Sequence, residues 1–178
     1  MAEFDKAIPI ILDHEGGFSD DSKDPGGVTK YGISLRYLKA RGDLKYDVDQ
    51  DGEITENDIK NLTRQQVIDI YQDWWNDYQY NRFFSQNIAT KVFDSAVNMG
   101  QKQAVKMLQD ACNQLNPDLN LQEDGVMGPI TLIAANQLDS SELLNRYRRG
   151  CGNFYSDLIA RNSMLGRYEA GWLRRAYS

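Results

Sequence analysis

Glu15, Asp24 and Thr29 carry oxygen side chains close together in the chain, with eight residues between the first two and four between the last two. Two carboxyl groups in one site suit the cleavage of a glycosidic bond. The leaving oxygen must receive a proton while a second carboxylate stays ionised. Glu15 lies one turn past Ile11 on a stripe of Phe4, Ile8, Ile11 and Leu12 at helical spacing. It should therefore turn toward apolar side chains, and such shelter favours the neutral form of a carboxyl. Gly16 and Gly17 follow, and a glycine just past the last turn stops a helix at least cost. Glu15 is thus expected at the last turn of a helix, half sheltered beside a turning backbone, as the proton donor. Asp24 is the first choice for the second carboxylate and Asp21 the reserve, while Thr29, by its type and place, reads first as a hairpin residue. Asp21 and Asp24 serve equally well as turn residues. His14 lies about 100° round the helix from Glu15 and receives no role.

A second chemically explicit stretch is Asp47-Val48-Asp49-Gln50-Asp51-Gly52-Glu53-Ile54-Thr55-Glu56-Asn57-Asp58. Asp47, Asp49 and Asp51 stand at loop positions one, three and five, Gly52 at six, Ile54 at eight and Asp58 at twelve. Glu53 offers its backbone carbonyl, and Thr55 a direct or water-mediated oxygen. This spacing resembles an EF-hand calcium loop, whose glycine permits the sharp turn. Asp58 replaces the usual Glu at position twelve, as in the dockerin form of the loop. Six carboxylates without a Lys or Arg repel one another unless a cation neutralises them. The expectation is a structural Ca2+ held by Asp47, Asp49, Asp51, Glu53 and Asp58, with no metal needed for catalysis. The alternative is a solvated acidic loop.

The elements that must position these groups follow from pattern and punctuation. Ser19 to Ser34 is too rich in Gly, Asp and Pro for a helix and reads as a loop or small hairpin. Leu35 to Leu38 is a short helix or strand, broken at Arg41-Gly42-Asp43. Thr63 is placed to cap a helix carrying Val67, Ile70, Tyr71, Trp74 and Trp75. Aromatic stripes are mostly core, but sugar rings stack on aromatic faces. Tyr31, Trp74 and Asn98 are therefore the candidate substrate contacts, Asn98 serving either in the cleft or as a cap. Phe93, Ala96, Ala104, Leu108 and Cys112 mark a central helical pair that Asn98-Met99-Gly100 interrupts. Gly128-Pro129 should open another helix. Asp139 and Glu142 resemble a capping box for the helix from Leu143 to Asn162, and Tyr168, Trp172 and Leu173 a short terminal one. The fold class is mainly α with a small hairpin.

Longer words in the chain resemble one family. Glu15-Gly16-Gly17-Phe18, Asp24-Pro25-Gly26-Gly27 and Thr29-Lys30-Tyr31-Gly32-Ile33-Ser34 are similar to the amino-terminal signature of glycoside hydrolase family 108, bacterial and phage N-acetylmuramidases. Phe93-Asp94-Ser95-Ala96-Val97-Asn98-Met99-Gly100, Asp124-Gly125-Val126-Met127-Gly128-Pro129 and Gly171-Trp172-Leu173 resemble the peptidoglycan-binding segment that follows there. The order Glu15, Asp24, Thr29 also resembles the constellation of phage-type lysozymes, in which the second gap is one residue longer; that resemblance implies Thr29 as an assisting hydroxyl. The resemblance implies a lysozyme-like α+β domain that hydrolyses bacterial peptidoglycan. A hydrolase segment would span residues 1–90, with the calcium loop inserted at 43–60. A peptidoglycan-binding-like helical segment would span 91–178 and share its core.

Composition is consistent with this reading. At 41% hydrophobic and 26% charged, the 178 residues suit a soluble domain, without a run long enough for a membrane span. Net charge is −6, yet residues 146–178 hold seven arginines against Asp157 and Glu169, making the carboxyl-terminal end the side for contact with anionic wall polymer. Nothing points to nucleic acid. The start lacks the pattern of a signal peptide, so synthesis in the cytoplasm and action on the wall after release or delivery are expected, as a monomer. Cys112 and Cys151 read as buried thiols. Two rivals remain: a lytic transglycosylase, using one Glu and leaving an anhydro-sugar, and a non-catalytic calcium-dependent wall-binding module.

Overall fold

The computed structural model describes residues 1–15, 18–19 and 29–178. They form two compact units, residues 8–77 and residues 1–7 with 78–178.

α1 (Phe4–Glu15) buries Phe4, Ile8 and Ile11 of the expected stripe, together with Ala7, and leaves Leu12 and Glu15 half-buried. β1 (Phe18–Ser19), β2 (Thr29–Lys30) and β3 (Ile33–Ser34) make a small antiparallel sheet in that order. Phe18 pairs with Lys30, and Lys30 with Ile33, so Tyr31 and Gly32 alone form the turn. Both have positive φ, 49° and 75°, the sign that matches a two-residue turn to the twist of its strands. The Ser34 hydroxyl accepts from the Tyr37 N–H and caps α2 (Leu35–Arg41), which Gly42 ends at φ 65°. The stretch after the hairpin is therefore helix and not strand.

A 3-10 turn at Leu44–Tyr46 leads into the acidic loop and then α3 (Glu56–Asn61), an addition to the elements expected from sequence. Thr63 caps α4 (Arg64–Asp77) as predicted: its hydroxyl accepts from the Gln66 N–H, and the Gln66 amide oxygen accepts from the Thr63 N–H. Ile11, Ile33, Leu38, Ile59, Val67, Ile70, Tyr71 and Trp75 form the core of this unit. Arg41 lies 2.5 Å from Asp77, and Asp73 accepts from Lys45 and, at 2.8 Å, from the Tyr46 hydroxyl. These contacts tie α2 and the 3-10 turn to α4.

In the other unit, α5 (Gln86–Met99) and α6 (Gln101–Leu115) are the expected pair, separated by Gly100 at φ 89°. α7 (Pro129–Gln137) opens on proline, and Asp139 caps α8 (Ser140–Arg161) by accepting from the Ser141 and Glu142 N–H groups. α9 (Glu169–Tyr177) closes the chain. α5, α6, α8 and α9 pack around Phe93, Ala104, Leu108, Leu143 and Tyr147. Cys112 and Cys151 are buried and free, and burial pushes the Cys112 thiol up to about 12. The buried Asp94 carboxylate binds Arg175 at 2.9 Å, with Lys91 at 3.7 Å, so charge fastens α9 to α5.

Candidate active site

Glu15 is the last residue of α1, and Gly16 and Gly17, expected to stop that helix, lie outside the described residues. Its Oε1 is shut off from solvent. The other carboxyl oxygen faces the hairpin turn. A Cβ built on Gly32 would fall inside van der Waals contact of Glu15 Oε2, 2.9 Å from Glu15 Cδ and 3.0 Å from the Tyr71 hydroxyl oxygen. The carboxyl therefore fills the space a side chain at residue 32 would need. The Tyr71 hydroxyl donates to the carbonyl of Tyr31, the residue before this glycine. Tyr71 is fully buried on α4, 6.3 Å from Trp74, and Trp74 stacks on Tyr37 at 4.8 Å. A carboxyl seated in this way, at a helix end and against an exposed glycine, can act as an acid or base on a substrate reaching the hairpin.

Thr29 lies on β2, half-buried, in the same unit as Glu15. Asp24 and its reserve Asp21 lie outside the described residues. Tyr31 is half-buried, its carbonyl bound by Tyr71. Trp74 is only 8% exposed and has one face against Tyr37, so the accessible ring of that stack is Tyr37, on α2. Asn98 belongs to the other unit, is exposed near the end of α5, and accepts a 2.6 Å hydrogen bond from the Tyr155 hydroxyl.

Sequence reasoning gave Gly32 and Tyr37 no role and placed Tyr71 in an aromatic stripe, core or sugar-lining, without its contact to the turn. A signal for Gly32 was present, because two residues between Thr29-Lys30 and Ile33-Ser34 fit a tight hairpin with Gly at its second position. Tyr37 follows Ser34 at the spacing of a cap and the first turn of a helix. Nothing local marks Tyr71, whose contact with the turn spans forty residues.

In the acidic loop, Asp47, Asp49 and Asp58 each bring a carboxylate oxygen within 4.8 Å of the other two. Asp51 and Glu53 are not in that carboxylate group; Asp51 accepts from the Glu53 N–H. Asp47 accepts from the N–H groups of Asp51 and Gly52, at 3.2 and 2.8 Å. Asp58 is fully buried. Its Oδ1 accepts from the Val48 and Asp49 N–H groups and its Oδ2 from the Thr55 N–H and hydroxyl. Asp49 accepts from the Asn57 amide at 2.6 Å, so all three carboxylates carry hydrogen bonds and Asp58 carries the most; the three together could hold a cation, with Asp47 and Asp49 the less heavily bonded.

The family model Glycosyl hydrolase 108 matches residues 8–100, and the model Predicted Peptidoglycan domain matches residues 103–177. A solved structure titled for SagA of Brucella abortus is similar over 97% of this chain and 88% of that one, with a TM-score of 0.75 and 27% identity. The search of curated proteins finds no match.

Proposed function

We propose that this chain, which belongs to the glycosyl hydrolase 108 family and is a peptidoglycan hydrolase of the N-acetylmuramidase type, cuts the glycan strand with Glu15 as general acid. The observation that carries the residue assignment is the seat of Glu15: a helix-end carboxyl with one shielded oxygen, held against the side-chain-free Gly32. Protonated Glu15 delivers its proton to the departing glycosidic oxygen. Asp24 is proposed as the ionised partner that orients water or stabilises the oxocarbenium-like transition state, with Thr29 assisting. Tyr31 and Asn98 remain proposed glycan contacts, and Tyr37 takes the stacking part first given to Trp74. The family match spans Glu15, Asp24 and Thr29 together. The matched peptidoglycan domain supports the same polymer as the ligand of residues 103–177. Among the described residues no helix is long and apolar enough to cross a membrane. The protein is proposed to act as a monomer.

Glu15→Gln keeps the shape of the side chain and removes the transferable proton. Turbidity loss of purified peptidoglycan should fall by at least about 100-fold, with the unfolding midpoint unchanged. Lysis at the wild-type rate would sink the assignment. Mass spectrometry of the released muropeptides should find reducing ends that have gained water, where a transglycosylase would leave anhydro-sugars.

The acidic loop is proposed to take a structural Ca2+ through Asp47 and Asp49, joined by Asp51 and the Glu53 carbonyl, while Asp58 braces the loop. At a calcium concentration 100 times Kd, binding should stabilise the fold by about 2.7 kcal/mol. Calorimetric titration should give a heat of binding that Asp47→Asn/Asp49→Asn abolishes. A heatless titration, with an identical melting curve in chelator, would leave the loop as a hydrogen-bonded turn.

A further inference from the structure

We propose that Tyr71 and Gly32 are positioning residues for the general acid, an inference that rests on the assignment of that role to Glu15. Tyr31 has φ 49°, a left-handed backbone that a bulky residue adopts only where its surroundings impose it. The two-residue turn requires that sign, and the Tyr71 hydroxyl, donating to the Tyr31 carbonyl from a fully buried ring on α4, anchors the turn in place. That ring is braced in turn by Trp74 and, through it, Tyr37. The strained residue thus has its carbonyl bound to a rigid element. The next residue, Gly32, is exposed, and the Glu15 carboxyl and the Tyr71 oxygen converge on the space where its Cβ would stand.

Each part has a separate task. Tyr71 fixes the height of the turn above α4, and Gly32 leaves the slot into which the carboxyl settles. Neither touches the scissile bond; both act through Glu15. A proton donor displaced by about an ångström can lose about 100-fold in rate, because transfer needs the reacting atoms near 3 Å apart. A turn loosened or filled at residue 32 would produce that displacement. Substrate would still be held by groups elsewhere, so the loss should fall on kcat and not on KM.

The experiment measures kcat and KM on solubilised peptidoglycan, and thermal midpoints, for the wild type, Tyr71→Phe, Gly32→Ala, Glu15→Gln, Glu15→Ala and Gly32→Ala/Glu15→Ala. Tyr71→Phe should lower kcat about 10-fold and Gly32→Ala about 100-fold, with KM within about twofold. The Tyr71→Phe midpoint should fall by no more than about 5 °C. Gly32→Ala carries the same backbone strain in every background, but its clash with the carboxyl vanishes when Glu15 is Ala. Its midpoint penalty should therefore be several degrees smaller in Glu15→Ala. Wild-type kcat in Tyr71→Phe, or an equal Gly32→Ala penalty in both backgrounds, overturns the proposal. If Gly32→Ala does not fold, Tyr71→Phe decides by its kcat and KM. An active Glu15→Gln would instead overturn the acid assignment, and the Gly32–Glu15 stability coupling would then report the seat by itself.

Discussion

Asp58 gathers four donors on two oxygens at the start of α3. Burial alone would raise its pKa. The Thr55 and Val48 N–H groups, the Thr55 hydroxyl and the Asp49 N–H outweigh that effect and hold the carboxyl below the usual carboxylate range. A folded-state pKa below the unfolded one means stability present above the unfolded value and lost as pH falls through the folded value. Asp58→Asn should cost about 2–3 kcal/mol at pH 7, since an amide turns a donor toward donors. Urea unfolding at stepped pH should show the gap to wild type narrowing below about pH 4 and closing once Asp58 itself protonates. A gap independent of pH would mean that the four bonds do not depend on its charge. Both carboxyls were legible as special from local spacing, Glu15 from its stripe and Asp58 from its loop position. The twelve-residue pattern, however, does not distinguish a position filled by a metal-binding oxygen from one filled by backbone donors. Nor did spacing reveal the seat of Glu15, because it is assembled from a turn and a distant helix.

Elements were most readable where caps are local. Thr63, Pro129 and Asp139 each open the helix their chemistry suggests, and Gly100 separates α5 from α6. The stretch from Leu35 was ambiguous on periodicity, since a short apolar run suits helix or strand. Ser34 and Gly42 resolve it by satisfying the first N–H groups and ending the last turn. The first half of α3 overlaps the acidic motif, which masks the capping box that Thr55 and Asp58 also form. Trp74 illustrates the limit of a stripe. Periodicity assigns it a face of α4, but only packing shows that Tyr37 covers it and takes over the accessible surface.

At the scale of the molecule, the cluster of Lys91, Asp94 and Arg175 decides whether the last helix stays in place. Asp94 and Lys91 are almost wholly buried, and burial lowers the Lys91 pKa, with Asp94 opposing that shift. Removing one partner from such a cluster leaves an uncompensated charge. Arg175→Met should therefore destabilise by about 3–5 kcal/mol in urea unfolding. A loss below about 1 kcal/mol would show that water replaces the guanidinium. Sequence alone gave no hint of this arrangement, since two of its members lie on α5 and the third on α9.

The division into units also bears on how the protein is made. The Ala2 N–H donates to the Phe83 carbonyl at 2.8 Å, and Glu3 exchanges two hydrogen bonds with the Gln86 side chain. Residues 1–7 thus belong with a unit that resumes only at Tyr78. At about 5–20 residues per second, the ribosome adds Gln86 roughly 4–17 s after Glu3. Residues 8–77 are complete before that partner exists. Residues 1–7 must therefore wait for residues synthesised much later, and the first turn of the hydrolase helix is among the last parts to be secured.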